Sequence, residues 1–248
     1  MEYDDRKKKH IFRSERRVTL LFSRDVELIE TEALENTVNF SFKGRYQTLG
    51  DAMNARAVWF VLHGYGQLAE YFIKKFTTLI DLNVYVIAPE ALSRFYLEDM
   101  DKRMRSGNNR VGATWMTREN RETDIENYLR FLNAVYDTET IAPDRPVTVL
   151  GFSQGAATAS RWVTASDRHF NRLILWSGIF PPDLHIPRSQ EVFKSVETIS
   201  VYGEKDPFLN DARFSEMNDI SKRLGIEVKS ITFDGGHDIH ADTLKALS

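Results

Sequence analysis

Residues 147–162 read VTVLGFSQGAATASRW. Four residues rich in β-branched types predict a strand, and the small residues after position 155 predict a helix. Between them Gly151-x-Ser153-x-Gly155 leaves no spacer. A turn that sharp forces the serine into an unfavourable backbone conformation and brings neighbouring chain very close. Glycine two positions before and two after is the way to make room, and the arrangement holds a serine hydroxyl up at the end of a strand. The stretch therefore predicts a strand–turn–helix unit of a parallel sheet and makes Ser153 a candidate nucleophile. A plain serine in a glycine-rich loop is the competing reading, and the direct abutment of strand, pattern and helix argues against it.

Outward from this stretch the same unit repeats. Short apolar runs at 57–63 (AVWFVLH), 83–90 (NVYVIAPE), 172–178 (RLILWSG), 197–203 (ETISVYG) and 227–233 (EVKSITF) alternate with segments of helical period at 68–81, 117–137, 155–166, 211–225 and 241–248. Most of the runs are nearly continuous, as expected of strands covered on both faces. Alternating strand and helix implies right-handed βαβ units and a mostly parallel sheet with helices on both faces, an α/β fold. The segments RVTLLFS (17–23) and TVNFSFKGRYQTLG (37–50) alternate as antiparallel strands would, so a mixed sheet with antiparallel N-terminal strands is expected. Residues 91–118 fit neither period and read either as an irregular functional loop or lid, or as a surface excursion with Phe95, Tyr96 and Trp115 tucked into the body as anchors. No linker divides the chain, so residues 17–248 are read as one domain behind a charged tail, 1–16.

The 248 residues are 42% hydrophobic and 28% charged, with a net charge of -3, and nothing in that balance suggests nucleic-acid binding. The absence of cysteine excludes disulfides, thiolate metal sites and cysteine nucleophiles. No apolar leader and no run of roughly 18 apolar residues occurs, so the expectation is a cytoplasmic protein without a membrane span. The oligomeric state is not legible.

A serine nucleophile needs a base and a carboxylate to orient it, in the chain order Ser, Asp or Glu, His. His169 and His185 lie in polar or proline-bounded connections and read as surface residues. His237, in FDGGHDIH, follows the last strand behind two glycines and is the expected base, whereas His240 suits a surface or capping role at the last helix. For the acid, VYGEKDPFLN offers Glu204 and Asp206 after the preceding strand. Asp206 is preferred because a loop carboxylate can reach the histidine loop. Two backbone N–H groups should receive the developing negative charge: that of Gln154, and that of Tyr65 in FVLHGYGQ. Neither metal nor cofactor is required; His237, Asp238 and His240 lack a third distant ligand.

Two rival readings use the same residues. HGYGQLA satisfies G-x-G-x-x-A between a strand and a helix, with Glu90 near the ribose-binding distance of an NAD-type oxidoreductase, but this leaves GFSQG and GGHD unexplained. A ligand-binding protein that keeps the fold without catalysis is the other.

Together LHGYG, IAPEA, LGFSQGAATA, WSG, YGEKDPF and FDGGHDI resemble the phospholipase/carboxylesterase family of α/β hydrolases, which includes acyl-protein thioesterases, over about residues 57–240. The resemblance implies an α/β-hydrolase fold and cleavage of a small-molecule carboxylic ester or thioester through an acyl-enzyme. It implies Ser153 as nucleophile, Asp206 as acid, His237 as base, and Tyr65 with Gln154 as the oxyanion hole. The chain departs from the family in its HGYGQ loop and in ALSRFYLEDMDKRMRSGNN (91–109). GATWM then stands in for the family's tryptophan-containing segment, which puts Trp115, and with it Tyr96, in the expected substrate pocket.

Overall fold

The computed structural model describes residues 33–248. Gly44–Ser248 form one compact unit. Its main sheet has seven strands in the order β1 (Tyr46–Leu49), β3 (Val84–Pro89), β2 (Ala57–Leu62), β6 (Val147–Phe152), β7 (Arg172–Trp176), β8 (Glu197–Gly203) and β9 (Lys229–Phe233). All neighbours are parallel except β1, which runs antiparallel to β3. The expected mostly parallel α/β-hydrolase sheet is thus present.

Strand alternation sorts the core onto two faces. Phe60, Leu62, Val149 and Leu173 pack on one side beneath α3 (Arg121–Thr138), α4 (Gln154–Ala165), α5 (Ile186–Phe193) and α6 (Asp211–Leu224). Trp59, Val61, Leu150 and Ile174 pack on the other, against α1 (Ala69–Phe72), the 3-10 segment Ile73–Leu82 and α7 (Ala241–Ala246). Covering both faces is why the strands read as continuous apolar runs rather than alternating ones.

Three readings need correction. Among the described residues the N-terminal antiparallel contribution is one strand, Tyr46–Leu49; residues 33–43 hold neither helix nor strand. The alternation through Val38, Phe40 and Phe42 is real in the sequence, but these side chains stay exposed, and alternation becomes a strand only with a paired neighbour. The readings of 1–16 and 17–23 lie outside the described residues. Residues 91–118 are not irregular: β4 (Ser93–Tyr96) and β5 (Val111–Thr114) form an antiparallel hairpin with α2 (Met100–Ser106) in its connection. Helix α2 buries no residue, so it has no apolar period to read. Its ends define it instead, with Asp99 accepting from the Lys102 N–H at 2.7 Å and Gly107 closing it at φ 65°. The proline-bounded stretch around His185 opens α5, with His185 as its N-cap and proline in the first turn.

Candidate active site

Every residue of β6 is buried, and α4 begins one residue beyond Ser153. That single residue carries the whole change of direction, at φ 54° and ψ -115°, a conformation that costs a non-glycine residue about 1–3 kcal/mol. The glycines make it possible. A Cβ on Gly151 would lie 2.2 Å from the Gly155 carbonyl oxygen, and one on Gly155 would lie 2.2 Å from that of Leu62. The Ser153 N–H donates to the Trp176 carbonyl at 2.9 Å, tying the turn to β7. The side chain makes no capping bond to α4 and lines a cavity of about 930 Å³.

His237 lines the same cavity, brought there by two loops that run side by side. The Glu204 N–H donates to the Phe233 carbonyl at 3.0 Å and the Lys205 N–H to that of Gly235 at 2.9 Å. A Cβ on Gly203 would sit 2.2 Å from Gly235 O, which leaves glycine there no substitute. Asp206 and His237 consequently meet, with Nδ1 2.7 Å from Oδ2. A carboxylate only accepts, so Nδ1 carries the proton and the neutral ring presents Nε2 as an acceptor. The Asp206 side chain is fully buried, and its Oδ1 accepts from the Phe208 N–H at 2.9 Å. Phe152 and Phe208 flank the imidazole, with ring centroids at 4.8 and 4.7 Å. Glu204, the other acid considered, accepts from the Thr232 hydroxyl at an exposed position. His240 caps α7 and Asp238 pairs with Lys75; among the described residues no His, Asp and Glu cluster suits a metal ion.

The loop after β2 lies against the serine, since a Cβ on Gly64 would be 3.2 Å from Ser153 Cβ. The Gly64 N–H goes to Gln67 Oε1 and the Gly66 N–H to Ala113 O. The N–H between them, that of Tyr65, has no acceptor among the described residues. Gln154 opens α4, so its N–H has no acceptor within the helix either. Its side chain holds the hairpin in place, accepting from the Trp115 N–H at 3.2 Å and donating to the Met116 carbonyl at 3.0 Å.

Beneath this loop His63 is fully buried. Nδ1 sits 2.8 Å from the Gly64 carbonyl, and Nε2 accepts from the Ala91 N–H at 3.1 Å. Only the neutral ring protonated on Nδ1 satisfies both, and burial pushes its pKa down to about 4. The unfolded chain therefore takes up a proton below about 6.5 that the folded chain refuses until about 4, so stability rises with pH across that window. His63 alone should make the protein roughly 2 kcal/mol less stable at pH 5 than at pH 7. Urea midpoints at the two pH values measure this, and His63→Gln should flatten the difference; an unchanged difference would assign it to other groups.

The expected pocket residues are placed elsewhere. Trp115 is buried in the core, donating its indole N–H to the His63 carbonyl at 2.8 Å and packing edge-on against Tyr128. Tyr96 is exposed on β4 beneath the Arg103 guanidinium, 3.9 Å from its ring. Neither lines the cavity; the next residue, Met116, does, together with Ile179, Phe180 and Leu209. A large aromatic beside a motif suits the core as well as a pocket, and here the indole N–H finds its partner inside. Most of the lining escaped the sequence reading, and two of its residues show why. Arg161 stands two helical turns beyond Ser153, and the spacing Ser153, Ala157, Arg161 on one helix face was available to find it. Ser177 has φ 51° and a buried Oγ without a partner, and no sequence signal marks it beyond its place at the end of a strand.

Glu90, the acidic residue of the dinucleotide reading, is not open to a ribose. Burial alone would push its carboxyl up, but hydrogen bonds from Arg45 and Arg94 hold it below the usual range. The two arginines approach at 2.6 and 2.8 Å, and the Ala69 N–H donates at 3.2 Å.

A family model described as serine hydrolase (FSH1) matches residues 53–243. No curated protein sequence matches the chain. Among solved structures it is similar to Zea mays acyl-protein thioesterase 2 (18% identity, TM-score 0.63, covering 83% of this chain and 96% of that one). It is also similar to a carboxylesterase from Mesorhizobium loti (18%, 0.63, 82% and 92%) and to a phospholipase/carboxylesterase from Dyadobacter fermentans (19%, 0.55, 84% and 96%). At these identities the likeness is one of fold.

Proposed function

Because the chain belongs to the FSH1 serine hydrolase family, we propose that it hydrolyses carboxylic esters, thioesters included, through an acyl-enzyme on Ser153. The observation that carries this reading is the 2.7 Å contact of Asp206 with His237 Nδ1, beside a serine raised on a left-handed turn into the same cavity.

His237 Nε2 takes the Ser153 hydroxyl proton as Oγ attacks the acyl carbonyl. The carbonyl π electrons move onto oxygen, and the Tyr65 and Gln154 N–H groups receive the oxyanion, whose stabilisation is usually the largest single contribution to such a reaction. Asp206 keeps the proton on Nδ1 and balances the imidazolium that forms. As the tetrahedral carbon collapses, His237 protonates the departing alcohol or thiol. Water then attacks the acyl-enzyme with His237 again as base, releasing the acid and restoring Ser153. No step calls on a metal or cofactor. The substrate on this reading is a small molecule, and a cytoplasmic setting suits the cysteine-free sequence. Among the described residues no helix is long and apolar enough to cross a membrane.

Fluorophosphonate labelling followed by peptide mass spectrometry tests the reading directly. Near-stoichiometric phosphonylation at Ser153 is expected. A folded protein that takes no label would sink it and leave a ligand-binding role for the cavity.

A further inference from the structure

The cavity around Ser153 and His237 is more cationic than a neutral ester requires. Arg118, Arg121, Arg161 and Arg213 line it against one carboxylate, Glu216, in a chain whose net charge is -3. Glu216 answers Arg213 at 3.0 Å. Asp183, outside the lining, serves two guanidiniums at once, with Arg161 Nη2 at 2.8 Å and Arg121 Nη2 at 2.6 Å. One negative charge therefore faces two positive ones. Arg121 Nε is buried without a partner, and a buried donor left unpaired costs about 1–3 kcal/mol. Arg118, three residues away and exposed, makes no hydrogen bond or ion pair with a described residue.

The positions along α4 give the cavity a length. Gln154, Ala157 and Arg161 all line it, and at the helical rise Arg161 lies roughly 12 Å along the axis from Ser153. Apolar Met116, Ile179 and Phe180 line the same space. An extended acyl or leaving group can therefore share this space with the reacting carbonyl and still meet the arginines that line it.

Resting on the esterase reading, we propose that the substrate is an anionic ester or thioester whose charged group is received, in the same cavity as the reacting carbonyl, by Arg118 and Arg121. Arg118 brings a charge that no described residue pairs, and Arg121 one that shares Asp183 with Arg161. Arg161 is committed to Asp183 and holds that carboxylate in place. The anion can belong to the acyl part or to the leaving part, and the experiment separates them.

The wild-type enzyme is assayed for kcat/KM on two matched pairs. In the first, the 4-nitrophenyl monoester of suberic acid is compared with its methyl-capped neutral twin. In the second, the octanoate ester of 4-hydroxybenzoate is compared with that of methyl 4-hydroxybenzoate. At low salt one pair should favour its anionic member by about tenfold or more, the usual worth of a charged hydrogen bond, and the preference should shrink as sodium chloride is added. The pair that responds names the side carrying the charge. Arg118 is exposed and makes no hydrogen bond or ion pair with a described residue, so Arg118→Gln should fold; it should bring the ratio within the responding pair toward one, and Arg118→Glu should reverse it. Equal rates within both pairs, or a ratio untouched by Arg118→Gln, overturns the proposal while leaving the esterase intact. If none of the four esters turns over and Ser153 takes no fluorophosphonate, the underlying reading has failed and the proposal with it.

Discussion

Replacing Ser153 with alanine should lower kcat for ester hydrolysis by about 10⁶-fold, the loss seen when a serine nucleophile working with its histidine is removed. The fold should survive. The Ser153 hydroxyl caps nothing, and the turn is held by its N–H on Trp176 and by the glycines on either side. Turnover of a 4-nitrophenyl ester, measured beside a thermal melt, separates chemistry from folding. The remnant rate should still exceed that in water, because the Tyr65 and Gln154 N–H groups continue to stabilise an oxyanion formed by direct attack of water. An alanine variant within tenfold of the parent would move the nucleophile to another residue.

Asp206→Asn should cost about 10⁴ in kcat, and the contacts say why. Oδ1 of Asp206 accepts from the Phe208 N–H at 2.9 Å, so the asparagine carbonyl must keep that position. Its NH₂ then faces His237 Nδ1, where the native carboxylate accepts a hydrogen bond. A donor there forces the proton onto Nε2, and the ring can no longer take one from Ser153. Shape and packing are unchanged, so the loss appears in kcat with little change in melting temperature. Glu204→Gln is the control, since that side chain lies on the exposed surface with Thr232. A crippled Glu204→Gln beside a healthy Asp206→Asn would exchange the roles of the two acids.

Most of the sheet was legible because each strand is buried on both faces and so writes a continuous apolar run. The geometry of the turn was legible because Gly151 and Gly155 are required by contacts closer than a Cβ allows, and the sequence records that requirement directly. Ser153, Asp206 and His237 could each be named from a loop at a strand end, those after β6, β8 and β9. What failed to show was whatever burial does not dictate. β4 and β5 are four residues each, too short for a period to register, and α2 buries nothing, so only its Asp99 and Gly107 ends announce it. Val38, Phe40 and Phe42 show the opposite fault, an alternation without a strand. Trp115 could be read as a pocket residue or as a core anchor, because a sequence gives the size of a side chain and not the direction it faces, and the fold makes it an anchor. The arginines of the cavity come from three separate segments, and their convergence on one space is a property of the fold.

The strand order also bears on how the molecule is made. β2 pairs with β6, Val58 lying beside Val147, so the Tyr65 loop and Ser153 become neighbours only after a loop of roughly 90 residues has closed, and non-local pairings of that kind form slowly. His237 arrives from later still, on the far side of β7 and β8. Much of the surrounding structure is local and cheap to nucleate: helices, caps and the β4–β5 hairpin. A chain in which β2, β6 and β9 have not yet paired holds Tyr65, Ser153 and His237 apart, so on the esterase reading fluorophosphonate labelling during refolding should appear only with the complete sheet.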